Sequence, residues 1–224
     1  MPRHFDDELE HLKEKLLKMG GLVETMVERA VASLVDRDSQ LAEATIASDA
    51  KVDGLEVEIN EECIRLLALH QPTAVDLRFL TTAMKIITDL ERMADQAVNV
   101  CQRAVELNEE PQLKPYIDIP IMAQLAQKML RDSLDAFVRR DVQLAREVIP
   151  ADNKVDALKD QVFRELLTFM MEDPRTIPRA TRLILVSRYL ERIADHSTNI
   201  AEMVVFLVEG KDIRHIPREE GPSR

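Results

Sequence analysis

Tryptophan is absent from this 224-residue chain, glycine occurs 5 times, cysteine twice, and aromatic residues make up 4%. Each scarcity excludes something. So little glycine argues against Gly-rich phosphate loops and against sheets joined by many tight turns. Cys63 and Cys101 are too far apart in sequence for a metal-thiolate motif and too few for a disulfide framework. No apolar run approaches the roughly 18 residues of a membrane span, and the acidic stretch from Met1 to Asp7 has no apolar signal core. Cations are outnumbered: 30 Lys and Arg face 41 Asp and Glu, for a net charge of −11. That balance argues against general nucleic-acid binding, which needs basic side chains to displace counterions from phosphates. The expectation is a soluble, cytoplasmic protein of one or two domains, with a real core and no direct membrane insertion.

What is present is helix former punctuated by proline. The ten prolines stand at 2, 72, 111, 115, 120, 150, 174, 178, 217 and 222, and the stretches between them are rich in Leu, Ala, Glu, Lys and Arg. Proline breaks helices and those five residues favour them. The pattern predicts an all-α chain with long helices near 4–35, 39–70, 74–108, 121–139, 141–171 and 177–209, the fifth interrupted or kinked at Pro150. Leu80, Ala83, Met84, Ile87, Leu90, Ala94, Ala97, Cys101 and Ala104 follow steps of three and four, a wide apolar stripe along one helix. Residues 111–120 hold three prolines and read as a linker. The tail, 211–224, carries little to anchor it and is expected to be disordered.

The chain repeats itself. Leu90-Glu91-Arg92-Met93-Ala94-Asp95 recurs 100 residues later as Leu190-Glu191-Arg192-Ile193-Ala194-Asp195, and Asn99 then matches Asn199. Upstream, Asp38-x-Gln40-Leu41-Ala42 and Asp49-x-Lys51-Val52-Asp53 recur at an offset of 103 as Asp141-x-Gln143-Leu144-Ala145 and Asp152-x-Lys154-Val155-Asp156. Two blocks repeated in the same order predict two tandem, pseudo-symmetric three-helix bundles, 1–110 and 121–210. The third helix of each would be roughly 50 Å long.

The repeated element with chemical content is acid-x-x-x-acid: Asp49/Asp53 and Glu91/Asp95 in the first half, Asp152/Asp156 and Glu191/Asp195 in the second. Residues four apart lie one above the other on a helix, so each pair places two like charges side by side. Glu91, Asp95 and Asn99 share a strip at the edge of the apolar stripe, as do Glu191, Asp195 and Asn199. If the second and third helices of each half face each other, four acids converge, enough for a site with more than one metal. Clustered carboxylate and amide oxygens without cysteine favour hard ions such as Fe³⁺, Mn²⁺ or Mg²⁺ over structural zinc. The plainer reading is a solvated face whose acids pair with Arg92, Arg192, Lys51 and Lys154. Glu8-x-x-His11 has di-iron spacing but stands alone, whereas such a centre needs two such pairs. His196 matches Gln96 in the repeat, His70 reads as a helix-end residue, and Ser187 and Ser197 have no identifiable base, so no nucleophile-base constellation emerges.

Asp76-Leu77-Arg78 followed by Asp89 to Asp95, and the stretch Arg188-Tyr189-Leu190-Glu191-Arg192-Ile193-Ala194-Asp195-His196-Ser197-Thr198-Asn199-Ile200-Ala201-Glu202, resemble the PhoU family, accessory proteins of phosphate-specific transport. The likeness covers nearly the whole chain. It implies two pseudo-symmetric three-helix bundles, often dimeric, and a cytoplasmic regulator rather than an enzyme. It implies work beside the phosphate ABC importer, with its ATPase, and a sensor histidine kinase, holding the phosphate-starvation response off when phosphate is plentiful. It also implies metal clusters on the acid-x-x-x-acid motifs, with iron as the expected ion and manganese, magnesium and zinc as alternatives. The ligands would be Glu91, Asp95, Glu191, Asp195, Asp49, Asp53, Asp152 and Asp156. Ala94 and Ala194 stand where many relatives have glycine. Gln102 stands opposite Glu202 in the repeat, so unequal metal binding by the halves is expected. The competing expectations are a helical-bundle metalloenzyme of the di-metal oxidase type and a purely structural bundle.

Overall fold

A computed structural model describes residues 2–211 and 213, with side chains from residue 5 onward. Among the described residues seven α-helices follow in order: α1 (Pro2–Val35), α2 (Ser39–His70), α3 (Ala74–Asn108), α4 (Asp118–Arg139), α5 (Val142–Val148), α6 (Asp152–Glu172) and α7 (Ile177–Glu209). There is no strand among the described residues. The six expected helices are all present, the fifth divided into α5 and α6. The break is a 3-10 turn over Ile149–Ala151, where Pro150 supplies no N–H to continue the α-helical ladder. Pro120, by contrast, falls inside the first turn of α4, which begins three residues earlier than expected. First-turn N–H groups have no helical partner, so proline costs nothing there.

The upstream repeat has a mechanical cause. Asp38 caps α2 by accepting from the Leu41 N–H at 2.9 Å, and Asp141 caps α5 by accepting from the Leu144 N–H at 3.0 Å. Each follows an arginine in the left-handed region, Arg37 at φ 58° and Arg140 at φ 54°. An aspartate side chain at this position satisfies one of the helix's orphan donors. At the far end of the chain Gly210, at φ 70°, closes α7 through its N–H to the Phe206 carbonyl at 2.9 Å, a conformation that favours glycine.

Helices α1, α2 and α3 pack on one another, as do α4, α5, α6 and α7. Across the two halves, helices equivalent in the repeat meet: α3 lies against α7 and α1 against α4. One continuous apolar core runs through both halves, with Leu90 and its counterpart Leu190 fully buried. At the crossing of α1 and α4, a Cβ on Gly20 would fall 2.1 Å from Leu134 Cδ1, so the absent side chain sets how closely α1 approaches. Nearby, Phe79 of α3 stacks on Phe137 of α4, with centroids 5.0 Å apart and planes 12° from parallel.

The segment between α3 and α4 is fastened to both halves. Arg37 donates to the carbonyls of Asn108 at 2.7 Å and Glu110 at 2.6 Å, and Arg179 to that of Pro111 at 2.8 Å. The Lys114 ammonium pairs with Glu165. Of the tail expected to be disordered, 211–224, all but Lys211 and Ile213 lies outside the described residues, and Ile213 packs against the core. Among the described residues no helix is long and apolar enough to cross a membrane.

Candidate functional site

The two acid strips form where α2 faces α3 and where α6 faces α7. In the first half, burial raises the Asp49 carboxyl above its ordinary value, and Asp53 and Asp95 raise it further. Glu91 is raised by burial first and then by Asp95, with Glu56 and Asp53 adding and Arg92 opposing. The four expected acids therefore share one field, and Glu56 joins them. Arg92 lies along the same helix, its Nε 3.4 Å from Glu91 Oε2 and its Nη1 3.3 Å from Asp95 Oδ2. It is largely exposed, and such surface pairs contribute about 0–1 kcal/mol.

The second half gathers Asp152, Asp156, Glu191 and Asp195. Crowding by the surrounding chain pushes Asp195 from its ordinary 3.8 up to about 6, with Glu191, Asp152 and Asp156 adding and His196 opposing. Here a cation stands inside the cluster. Lys159 Nζ donates to Asp156 Oδ1 at 2.8 Å and to Glu191 Oε1 at 3.0 Å, joining α6 to α7. These hydrogen bonds hold the ammonium more firmly protonated than usual. Among the described residues no ion pair bridges α2 and α3 at the first strip. Glu56 and Lys159 occupy equivalent positions at the 103-residue offset, three residues beyond Asp53 and Asp156. Motif spacing alone missed both. The signal that finds them is the next helical neighbour of each pair, read across the repeat.

The asparagines part company with the acids in one half. Asn99 is partly buried on α3, two turns beyond Glu91. Asn199 turns to the contact between the halves, its Nδ2 3.5 Å from Asp89 Oδ1, which also meets His196 Nδ1 at 2.7 Å. Asp89 and Asn199 line an open groove of about 620 Å³ with Met84, Lys85, Thr88 and Met203. The lone Glu8-x-x-His11 spacing is not a ligand pair: Glu8 meets Arg65 at 2.9 Å and His70 at 2.8 Å, while His11 faces Glu14 at 3.6 Å. His70 closes α2 as expected. Both cysteines are buried, and burial pushes their thiols up to about 12, so neither supplies a thiolate at neutral pH.

The donor set of the first strip is all oxygen, which suits a hard cation. Among the described residues no three carboxylate, imidazole or thiolate groups already stand in an ion-holding arrangement, so ion binding there requires carboxylates to turn toward a common centre. The second strip does not fit an ion while Lys159 spans it.

The field at Asp195 gives a test of the strip's electrostatics. A raised carboxyl stabilises the fold fully below its unfolded value near 3.8, and that contribution is lost as pH rises through about 6. Asp195→Asn in metal-free buffer should therefore be neutral near pH 4 and stabilising at pH 8. The gain should be about 1 kcal/mol, because Asp195 is open to water and solvent screens it. Thermal melts should show about 2–4 °C at pH 8; a lower melting temperature there would contradict this field.

The family model for the PhoU domain matches the chain twice, over residues 16–104 and 119–204. The phosphate-specific transport system accessory protein PhoU homolog of Pseudomonas aeruginosa is 45% identical over 215 residues, covering 96% of this chain and 89% of that protein. The homolog of Aquifex aeolicus is 46% identical over 208 residues, covering 93% and 94%. Among solved structures, PhoU from Pseudomonas aeruginosa superposes with a TM-score of 0.88 at 45% identity, over 92% of this chain and all of that one. The phosphate transport system regulatory protein PhoU from Streptococcus pneumoniae gives 0.87 at 32% identity, over 93% and 99%.

Proposed function

Since the chain belongs to the PhoU family, we propose that it is a cytoplasmic regulator of phosphate uptake and of the phosphate-starvation response. It acts as an adaptor between the ATPase of the phosphate ABC importer and its sensor histidine kinase, as a homodimer, and it is not an enzyme. The observation that carries this reading is similarity along almost the whole chain to proteins named as accessory to phosphate-specific transport. An adaptor needs faces rather than a reaction centre. Phe163, Leu167 and Met171 leave a row of apolar surface in solvent on α6, of the kind that partners cover.

The acid strips are read as places for hard metal ions, iron foremost. Asp49, Asp53, Glu91 and Asp95 would hold an ion in the first half, and Asp152, Asp156, Glu191 and Asp195 face each other in the second. A bound cation would supply the charge these crowded carboxylates lack and would tie the two helices of a strip together. Against the reading of a di-iron oxidase, Glu8 and His11 are engaged with different partners.

Deleting the gene should release phosphatase expression in phosphate-rich medium, and the intact chain supplied in trans should restore repression. Unchanged repression in the deletion strain would defeat the regulatory reading. Elemental analysis of protein purified without chelator tests the metal reading separately.

A further inference from the structure

We propose that the two strips are not equivalent: in the second half the Lys159 ammonium holds the place of a metal ion, so that the chain takes its metal in the first half. This rests on the reading of the acid strips as metal sites and assigns that role to one of them.

Lys159 does what a bridging cation would do. Its Nζ reaches Asp156 on its own helix at 2.8 Å and Glu191 on the facing helix at 3.0 Å. Both are expected ligands. An ammonium with three donors satisfies carboxylate oxygens by short charged hydrogen bonds, as an ion does by coordination. The side chain is only partly open to water, as is Glu191, so the pairing is less screened than one at the rim. A divalent ion entering this strip must break both bonds and then sit beside a displaced positive charge.

The first half has the opposite charge at the same position. Glu56 replaces the ammonium and lies near enough to Glu91 to act on it electrostatically. Three carboxylates of α2, Asp49, Asp53 and Glu56, then share one field with Glu91 and Asp95 of α3. Arg92 touches two of them, but along α3 and from the solvent side. It neither crosses to α2 nor stands between the helices. One strip therefore carries its own counter-ion, and among the described residues no cation bridges the helices of the other.

The test is Mn²⁺ binding to the full-length protein by equilibrium dialysis and by the manganese electron paramagnetic resonance signal. In the wild-type chain, Glu91→Gln should weaken Mn²⁺ binding tenfold or more, and Asp195→Asn should leave it within twofold. Lys159→Gln should open a second class of Mn²⁺ site, which Asp195→Asn then removes. Glu56→Lys, the reciprocal exchange, should weaken the first site tenfold or more. It keeps the proposal testable if Lys159→Gln disturbs folding. Equal losses from Glu91→Gln and Asp195→Asn, unchanged binding in Lys159→Gln, or full Mn²⁺ affinity in Glu56→Lys would each overturn the inequality while leaving the strips as metal sites. If neither the wild-type chain nor Lys159→Gln binds Mn²⁺, the reading of the strips as metal sites falls, and this inference with it.

Discussion

Phe79→Ala should cost about 3–5 kcal/mol of unfolding free energy, the usual range for emptying a buried phenylalanine site. Phe79 and Phe137 are both fully buried, and their rings stack at 5.0 Å. Phe79 belongs to α3 and Phe137 to α4, so the cavity would open between the halves rather than inside one of them. Lys13 Nζ stands 5.6 Å from the Phe79 ring centre and the Arg140 guanidinium 6.0 Å from it. Truncation therefore also removes an aromatic face from two cations. Urea denaturation should report a reduced midpoint, and the melting temperature should fall by roughly 6–20 °C for a chain of this size. A double-mutant cycle of Phe79→Leu with Phe137→Leu should give a coupling of about 0.5–1.5 kcal/mol, the range for stacked rings. A loss below about 1 kcal/mol for Phe79→Ala would mean that the site collapses around the missing ring.

Arg37→Ala should cost about 2–3 kcal/mol, because two charge-assisted hydrogen bonds are lost at once. The guanidinium holds the Asn108 and Glu110 carbonyls at 2.7 and 2.6 Å, at the end of α3 where carbonyls have no helical partner and a positive charge is favoured. Arg37→Lys keeps the charge but not the fork geometry and should recover only part of the loss. Denaturation gives the magnitude. Hydrogen exchange gives the location: faster exchange should concentrate at the amides near 107–112, next to the broken bonds. Uniformly faster exchange over the whole chain would show instead that Arg37 acts on global stability alone.

Much of this fold was legible in the sequence because its rules are local. Proline positions and the three-and-four spacing of Leu80 to Ala104 mark helices without reference to any neighbour. The repeat was legible too, although spacing could not say why Asp38 and Asp141 recur; each is the cap of a helix. Pro120 misled by three residues, since a proline in a first turn and a proline before a helix look alike in a string of letters. The acid strips were half legible. Asp49, Asp53, Glu91 and Asp95 repeat as motifs, but which side chains meet across two helices depends on their rotation and register. That register brings in Glu56 and Lys159 and turns Asn199 toward Asp89. Gln102 and Glu202 display one difference between the halves on α3 and α7, and register adds a second on the facing helices, the charge reversal at 56 and 159. Asp89 and His196 were missed as a pair because they join residues 107 apart and have no counterpart in the repeat, where Tyr189 and Gln96 stand.

The meeting of α3 with α7 and α1 with α4 has a consequence for how the two strips came to differ. Two helices of each half pack on their own counterparts, which is the isologous arrangement of a two-fold dimer, here enclosed within a single polypeptide. In a dimer of identical subunits, every residue choice is made twice, and a lysine placed in one strip appears in both. Tandem linkage removes that obligation. It lets position 56 be glutamate while its twin at 159 is lysine, and lets Asp89 meet His196 on one side of the pseudo-axis alone. A duplicated frame is thus kept for packing and released from symmetry where charge is concerned.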